Sequence, residues 1–247
     1  MNRIIVFALM FFCMTMQIEA QTLSEEEVTA KMYQAFELNK AAKKAEALEL
    51  FLIVGENTKQ QRNEGERQVY VCSQTMACQC YELLGRYKEG YLLGKSLLQG
   101  KLNDTERKDV GHLYAMNGYM YACEFIQRDE KGRADYKRGR ELISEILPYS
   151  DGQVKEYAET KIPLSWYFEG AQYAMTQSYD EALSSYEEAL NGFRDLGRVS
   201  EEVDVLSGIA SVKAHLCKFD EAKRVYYQAF VLAHQNGKAN KQMDVLR

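Results

Sequence analysis

The chain has 247 residues, a formal net charge of −5 and 27% charged residues of interspersed sign. Only two prolines occur, and abundant Ala, Leu, Glu and Lys favour an all-α fold over a β-sandwich. Without a basic stripe, nucleic acid is not expected as a partner, and this charged fraction is typical of a folded rather than a disordered protein.

Residues 1–20 carry the pattern of a secretory signal peptide. A positive start at Arg3 precedes an apolar run over 4–16, and Ala20 supplies a small residue at the cleavage position. The run is shorter than the roughly 20 residues that a membrane span needs. We therefore expect export and cleavage after Ala20. The mature chain, 21–247, is then secreted without a membrane span, and it is periplasmic if the source is a Gram-negative bacterium.

The mature chain is expected to form five pairs of antiparallel helices. A charged, Gly-containing insertion at 128–133 interrupts the third pair, and Pro148 ends it because proline cannot continue a helix. A second proline, Pro163, predicts a break or kink near Lys161 in the fourth pair. The expected pairs are approximately 24–58, 62–98, 106–147, 152–194 and 200–235, and 238–247 is the start of a further or capping helix.

Several helix starts are predicted from capping residues. Ser24 and Glu27 have the spacing of a capping box, in which each side chain bonds the backbone N–H of the other residue. Asn103 and Asp151 are expected to cap the helices that follow them. The predicted caps of the second helices in the last two pairs are Asp180 and Asp220.

Small and large residues alternate at fixed offsets in the fourth pair. A bulky side chain of one helix then meets a small residue of the other, which lets the two backbones approach. The sequence Trp, Gly four on, Tyr three on, then Ala, an aromatic and Ala resembles the tetratricopeptide repeat (TPR). The matching residues are Trp166, Gly170, Tyr173, Ala182, Tyr186 and Ala189.

Equivalent small residues recur in every pair, at Ala47, Gly90, Gly139, Ala182 and Ala222, with spacings of 43, 49, 43 and 40. These exceed the roughly 34 residues of a typical TPR, and they resemble the longer repeats of bacterial signalling proteins and kinesin light chains. The resemblance implies an all-α, TPR-like α-solenoid, a right-handed superhelix of about five helix pairs. Outside the fourth pair, a HEAT-like or generic α-solenoid stays open.

No pattern of catalytic, cofactor-binding or metal-binding residues stands out. The glycines of 90–96 have three residues between them rather than the four of a phosphate-binding P-loop, and they lie within a predicted helix. No GxSxG or HExxH motif occurs. We therefore expect neither enzymatic activity nor a cofactor.

Five cysteines remain after the signal peptide, and their odd number leaves at least one unpaired. Cys72 and Cys80 are eight residues apart on one predicted helix, about 12 Å, too far for a disulfide. A zinc site lacks a CxxC pair or a nearby histidine. We interpret the cysteines as small residues in close helix contacts.

The TPR resemblance implies a peptide or protein partner in a concave groove lined by the first helix of each pair. The predicted contact residues are Tyr167, Met175, Gln79, Glu82 and His215, because a rigid aromatic ring and polar side-chain ends suit peptide recognition. The further inward positions are Leu164, Ala171 and Ala174, then Cys72, Thr75 and Leu83, then Asp204, Ser207, Ser211 and Ala214. The Lys/Arg–Asn clamp of carboxylate-binding TPRs is missing, which disfavours binding of a peptide C-terminus.

Two functions follow from this interpretation. In the first, the chain is a free, non-catalytic scaffold for protein–protein interaction. In the second, it is the extracytoplasmic sensor portion of a TPR-containing signal-transduction protein, a histidine kinase or a transcriptional regulator. The end of the sequence within a predicted helix favours the second function, and the lack of a membrane span favours the first.

Overall fold

A computed structural model describes residues 23–127 and 134–237. The predicted signal peptide, the insertion at 128–133 and the segment 238–247 lie outside these ranges. The described residues form ten α-helices and one 3-10 turn, Leu147–Tyr149, with no strand among them. The helices are α1 Glu25–Lys40, α2 Lys44–Thr58, α3 Glu64–Leu83, α4 Tyr87–Leu98, α5 Asp104–Ile126, α6 Tyr136–Ile146, α7 Gly152–Met175, α8 Tyr179–Asp195, α9 Val199–His215 and α10 Phe219–Gln235.

The chain divides after Leu84 into two compact units. Unit 1 contains α1 to α3, and unit 2 contains α4 to α10. The predicted second pair, 62–98, thus contributes one helix to each unit, and its pairing stays a prediction.

The core of unit 1 forms where α2 packs against both α1 and α3. Ala47 and Phe51 are fully buried on α2. The Phe51 ring meets the Phe36 ring of α1 edge-on, with centroids 5.4 Å apart. Each Å² of apolar surface buried in this way stabilises the folded state by roughly 25 cal/mol. Because α2 packs against both other helices, it holds unit 1 together.

A first apolar cluster in unit 2 joins α4, α5, α6 and the amino-terminal half of α7. A hydrogen-bonded group lies at its edge. Glu145 of α6 accepts from Tyr91 (2.9 Å) and Tyr114 (2.6 Å), and its Oε1 lies 2.6 Å from Lys95 Nζ. The Tyr91 and Tyr114 rings stack with centroids 5.3 Å apart. One carboxylate therefore joins side chains from three helices.

The second cluster of unit 2 contains Ala182, Tyr186 and Ala189 of the TPR pattern, and Trp166 and Tyr173 pack against it. Gly170 of α7 is buried, and a Cβ placed there would lie 2.8 Å from the Tyr186 ring and 3.2 Å from the Ala182 carbonyl oxygen of α8. Ala182 and Ala189 are fully buried in the same contact. The predicted packing of a large residue of one helix against a small residue of the other is confirmed. The all-α fold class is also confirmed.

The predicted break near Lys161 is wrong, because α7 is one continuous helix that contains Pro163. The kink predicted as its alternative stays a prediction. Proline removes one backbone hydrogen bond and would normally kink or end a helix. Here the ring is buried, and a Cβ at Gly192 of α8 would lie 2.7 Å from Pro163 Cβ. Close packing along both halves of α7 therefore holds the helix together through the proline.

The predicted capping box at Ser24 is present, and the predicted cap at Asn103 forms a second box. Ser24 caps α1 with Glu27, and Asn103 caps α5 with Glu106. Asp180 and Asp220, by contrast, do not cap: they lie in the first turns of α8 and α10, which begin one residue earlier. There the carboxylates interact favourably with the positive end of the helix dipole.

Asp151 occupies the N-cap position of α7 but makes no capping bond. Its carboxylate faces His112 instead, with His112 Nδ1 and Asp151 Oδ1 3.0 Å apart. The predicted N-cap position of Asp151 is thus correct, but its carboxylate contacts α5 instead of accepting a capping hydrogen bond.

None of the five cysteines in the described ranges forms a disulfide. Cys78, Cys80 and Cys123 are buried, as expected for residues in helix contacts, and burial raises the pKa of Cys78 to about 12. Cys72 and Cys217 are exposed, so the interpretation as packing residues is wrong for these two.

Candidate functional site

A line of apolar side chains runs along one face of α7 in unit 2. Tyr157, Leu164, Phe168 and Met175 are spaced by seven, four and seven residues, which places them on one side of a helix. Tyr157 is 53% exposed, Phe168 40% and Met175 75%, and Leu164 is half-buried. We call these four residues the α7 stripe. It extends about 27 Å at 1.5 Å per residue.

An aromatic ring of α5 lies beside the amino-terminal part of the α7 stripe. The Tyr119 ring of α5 stacks on Tyr157, with centroids 6.3 Å apart and planes 27° apart. Burial and a hydrogen bond with Cys123 raise the pKa of Tyr119, so its hydroxyl stays protonated and neutral. Helix α9 also contacts α7, and its Ser207 and Ser211 are half-buried. Exposed apolar and aromatic side chains along one helix face are typical of surfaces that contact a protein or a peptide.

Arg140 of α6 fixes the position of α7 beside the stripe. Its guanidinium carbon lies 3.4 Å from the centroid of the Trp166 ring, and its Nη2 donates to Glu169 Oε2 at 2.8 Å. Nη1 donates to Ser165 Oγ at 3.3 Å. Since Arg140 is only 9% exposed, this cation is held by protein groups rather than by water. The TPR tryptophan is thus held against the preceding pair.

The predicted contact residues of unit 2 lie in different surroundings. Tyr167 is half-buried, and its ring centroid lies 5.8 Å from that of Tyr186, so much of this side chain serves packing. Met175 belongs to the α7 stripe and is well exposed. His215 is exposed at the end of α9, where its ring stacks on Tyr179 with centroids 5.9 Å apart.

The other two predicted contact residues lie on α3 in unit 1. Gln79 is exposed and Glu82 is half-buried. As contact residues, all five stay predictions.

Sequence reasoning missed Tyr157, Phe168 and Arg140. The spacing of Tyr157, Leu164, Phe168 and Met175 was visible, but a TPR template compares only the shorter segment from Leu164 onward. Helix α7 begins earlier than the template, at Gly152, so the exposed face extends two further turns, from Leu164 back to Tyr157. Arg140 lies before Pro148 and 26 residues from Trp166, so no local pattern connects them.

Unit 1 contains a separate cleft of about 670 Å³ between α1 and the start of α3. Its apolar wall includes Val28 and Val69, and the Tyr33 ring stands at its side, 72% exposed. Glu25 and Glu26 of α1 face the same space. The remaining lining residues are Leu23, Thr29, Ala30, Asn57, Thr58, Arg62, Gly65 and Glu66.

In the ranges 23–127 and 134–237, no cluster of three or more His, Cys, Asp or Glu side chains could hold a metal ion. Nor does any helix in these ranges have the length and apolar character needed to cross a membrane.

The solved structures that resemble this chain include the following three. The apo form of RapI is 13% identical with a TM-score of 0.35, and the match covers 89% of this chain and 74% of RapI. A putative kinesin light chain from Podospora anserina with TPR-like repeats is 14% identical with a TM-score of 0.35, covering 85% of this chain and 96% of that one. TTC0263, a TPR protein of Thermus thermophilus, is 16% identical with a TM-score of 0.34, covering 89% of this chain and 98% of that one.

No protein-family model matches the chain, and no curated protein matches it in sequence. The TPR resemblance therefore stands on the chain's own residues and helix contacts. Gly170 and Tyr186 meet across α7 and α8, and the alanines of α8 are buried in the same interface. The chain is an all-helical protein whose α7 and α8 pack as the two helices of a tetratricopeptide repeat do.

Proposed function

We propose that this protein is a non-catalytic scaffold that binds a peptide or a protein segment along the α7 stripe. The observation that carries the proposal is the exposure of Tyr157, Phe168 and Met175 on one face of one helix. Contiguous exposed apolar side chains on a soluble protein usually mark an interaction surface. An aromatic residue in such a surface is a frequent hot spot.

The rigidity of α7 supports the same proposal. Arg140, Trp166 and Glu169 fix the helix from the side of α6, and Gly170 brings it close to α8. A binding surface whose backbone is held in this way loses little conformational entropy when it meets a partner. Most of the conformational entropy lost on binding is then lost by the partner.

Site-specific photo-cross-linking tests this assignment. A photoreactive phenylalanine analogue at Phe168 should form an adduct with a protein in the source cells. The same analogue at Tyr227, an exposed ring on α10, should not. Mass spectrometry then identifies the adduct, and the purified partner serves for affinity measurements.

The affinity for that partner should fall about tenfold for Phe168→Ser and for Tyr157→Ser, because each removes an exposed aromatic contact. Tyr227→Ser is the matched control and should leave the affinity unchanged. Loss of binding with Tyr227→Ser alone, or full binding by both stripe variants, would contradict the proposal.

The proposed location of the scaffold is outside the cytoplasm. The support is the pattern of residues 1–20, a positive start, an apolar run and a small residue at position 20. Fractionation of source cells, with an antibody raised against 21–247, tests this. A soluble extracytoplasmic band of mature size supports a free scaffold, and a much larger band in the membrane fraction supports the sensor portion of a signal-transduction protein.

A further inference from the structure

We propose that the cleft of unit 1 is a second binding site, and that it takes a lysine- or arginine-bearing peptide segment of a partner protein. The site is separate from the α7 stripe, since all its lining residues lie between Leu23 and Val69. The inference rests on the shape of the cleft, on an exposed aromatic ring and on uncompensated negative charge.

The cleft has the size of a peptide subsite. Its volume of about 670 Å³ falls within the roughly 300–1,000 Å³ of ligand pockets. Helices α1 and α3 form its walls, and Asn57 and Thr58 at the end of α2 close it. Val28, Val69 and Leu23 supply apolar surface, so the aliphatic stem of a long side chain finds contacts there.

The charge of the lining is negative. Glu66 is paired with Arg62, whose Nη2 lies 2.8 Å from Glu66 Oε1. Among the residues that the structure describes, no ion pair engages Glu25 or Glu26. These two carboxylates, without an ion-pair partner in the described part of the chain, outweigh the roughly +0.5 charge at the amino-terminal end of α1.

The capping hydrogen bonds at the starts of α1 and α3 disfavour the binding of an anion in the cleft. Ser24 Oγ accepts from Glu27 N–H, and Glu27 Oε2 accepts in turn from Ser24 N–H. At the start of α3, the Asn63 side chain accepts from Glu66 N–H. With these donors occupied by side chains, the two helix starts have less to offer a phosphate or carboxylate group.

The Tyr33 ring adds a second attraction for a cation. It lies two turns from Glu26 on the same face of α1, and 72% of it is exposed. The face of an aromatic ring attracts an ammonium or guanidinium group. A cationic side chain in the cleft can therefore contact the carboxylates and the ring face with its charged end and the apolar wall with its stem.

Fluorescence polarisation with the purified chain tests the proposal. The probe is a labelled dodecapeptide with a lysine–leucine–lysine–leucine core in a glycine–serine frame. One comparison peptide has glutamate for lysine, and another has serine for leucine. We expect the lysine–leucine probe to bind at least about tenfold more tightly than the glutamate form, with an affinity that falls as salt rises.

The double variant Glu25→Gln/Glu26→Gln should weaken binding of the probe about five- to tenfold, because two exposed charge contacts are lost. The matched control is Glu46→Gln/Glu49→Gln, which removes the same charge from exposed positions of α2 outside the cleft. Tyr33→Ser should also weaken binding, with the circular dichroism spectrum unchanged.

Three results would overturn the proposal. They are no binding of the lysine–leucine probe, equal or tighter binding of the glutamate peptide, and an equal loss in the α2 control. The last would show attraction by overall charge alone. Because no residue of unit 2 is changed, these results leave the test of the α7 stripe unaffected.

Discussion

Arg140 and Glu169 form an ion pair between α6 and α7, with Nη2 and Oε2 2.8 Å apart and both side chains largely buried. A buried pair of this kind costs desolvation energy on each side, so its net contribution is small while both members are present. Removing one member leaves the other charged and poorly solvated. The pair therefore fixes the position of α7 relative to α6 more than it stabilises the folded state.

The first prediction concerns this pair. Arg140→Met should lower the free energy of unfolding by about 3–5 kcal/mol, because it leaves the Glu169 charge without its partner and uncovers Trp166. The double variant Arg140→Met/Glu169→Leu should recover a large part of that loss. Urea denaturation gives both values. If the double variant is as unstable as the sum of the two single variants, the pair is not coupled as the geometry indicates.

The second prediction concerns the close contact at Gly170. A Cβ at this position would already lie 2.8 Å from Tyr186 Cδ1, so Gly170→Leu should destabilise by about 1–3 kcal/mol or more. Ser184→Leu on the exposed face of α8 is the matched control and should change stability little. An unchanged melting temperature for Gly170→Leu would mean that the assigned repeat register is wrong.

The third prediction concerns pH and Glu145. Partial burial opposes its ionisation, but hydrogen bonds from Lys95, Tyr114 and Tyr91 outweigh it and hold the pKa of Glu145 below its usual value of 4.5. Its stabilising effect is therefore present above the pKa of the unfolded chain and is lost as the pH falls through the lower pKa of the folded state. Glu145→Gln should be less stable than the wild type at pH 7, and the difference should narrow at about pH 3.

Urea midpoints at the two pH values measure this effect. Glu141→Gln, on the same helix, is the matched control, because its pair with Arg138 is about half exposed on both sides and contributes little. A difference for Glu145→Gln that stays constant between the two pH values would exclude the predicted linkage.

The fourth prediction separates packing from binding on adjacent residues of α7. Tyr167 packs against Tyr186, whose pKa is raised to about 12 by burial and by the neighbouring Tyr167. Tyr167→Ala should therefore lower the melting temperature, with a loss of about 2–4 kcal/mol. Phe168→Ala, at a 40% exposed position, should lose much less stability and should lose partner affinity instead.

Thermal unfolding and partner binding of the two variants make the comparison. The binding role predicted for Tyr167 would be favoured over packing if Tyr167→Ala kept its stability and lost its affinity. Equal melting temperatures for the two variants would contradict the assignment of Tyr167 to the core.

Local pattern was sufficient to predict the fold. The large and small residues around Trp166 and Gly170 meet as their spacing indicates, and the Ser24 capping box forms because its two partners are three residues apart. Asp180 was placed wrongly because the preceding turn already starts the helix at Tyr179. A propensity for capping does not determine which residue of the turn is the first to be helical.

The candidate surfaces were harder to predict because they depend on distances between helices. The contact from Arg140 to Trp166 spans two helices, and the cleft beside Tyr33 exists only because α1 and α3 are spaced apart around it. Neither spacing leaves a periodic signal in the sequence. The α7 stripe is an intermediate case. The spacing of its residues can be read from the local sequence, but their exposure depends on how α7 packs against other helices.

The turn between α7 and α8 contains one left-handed residue, Gln177, at φ 62°, and Cys217 holds the equivalent place between α9 and α10 at φ 59°. In both turns, backbone hydrogen bonds close the end of the first helix, and three residues separate it from the start of the next. This fixed length sets the rotational phase of the second helix. One inserted residue at Gln177 would rotate α8 by about 100° about its axis, turning Ala182 and Ala189 away from α7 and presenting charged side chains in their place.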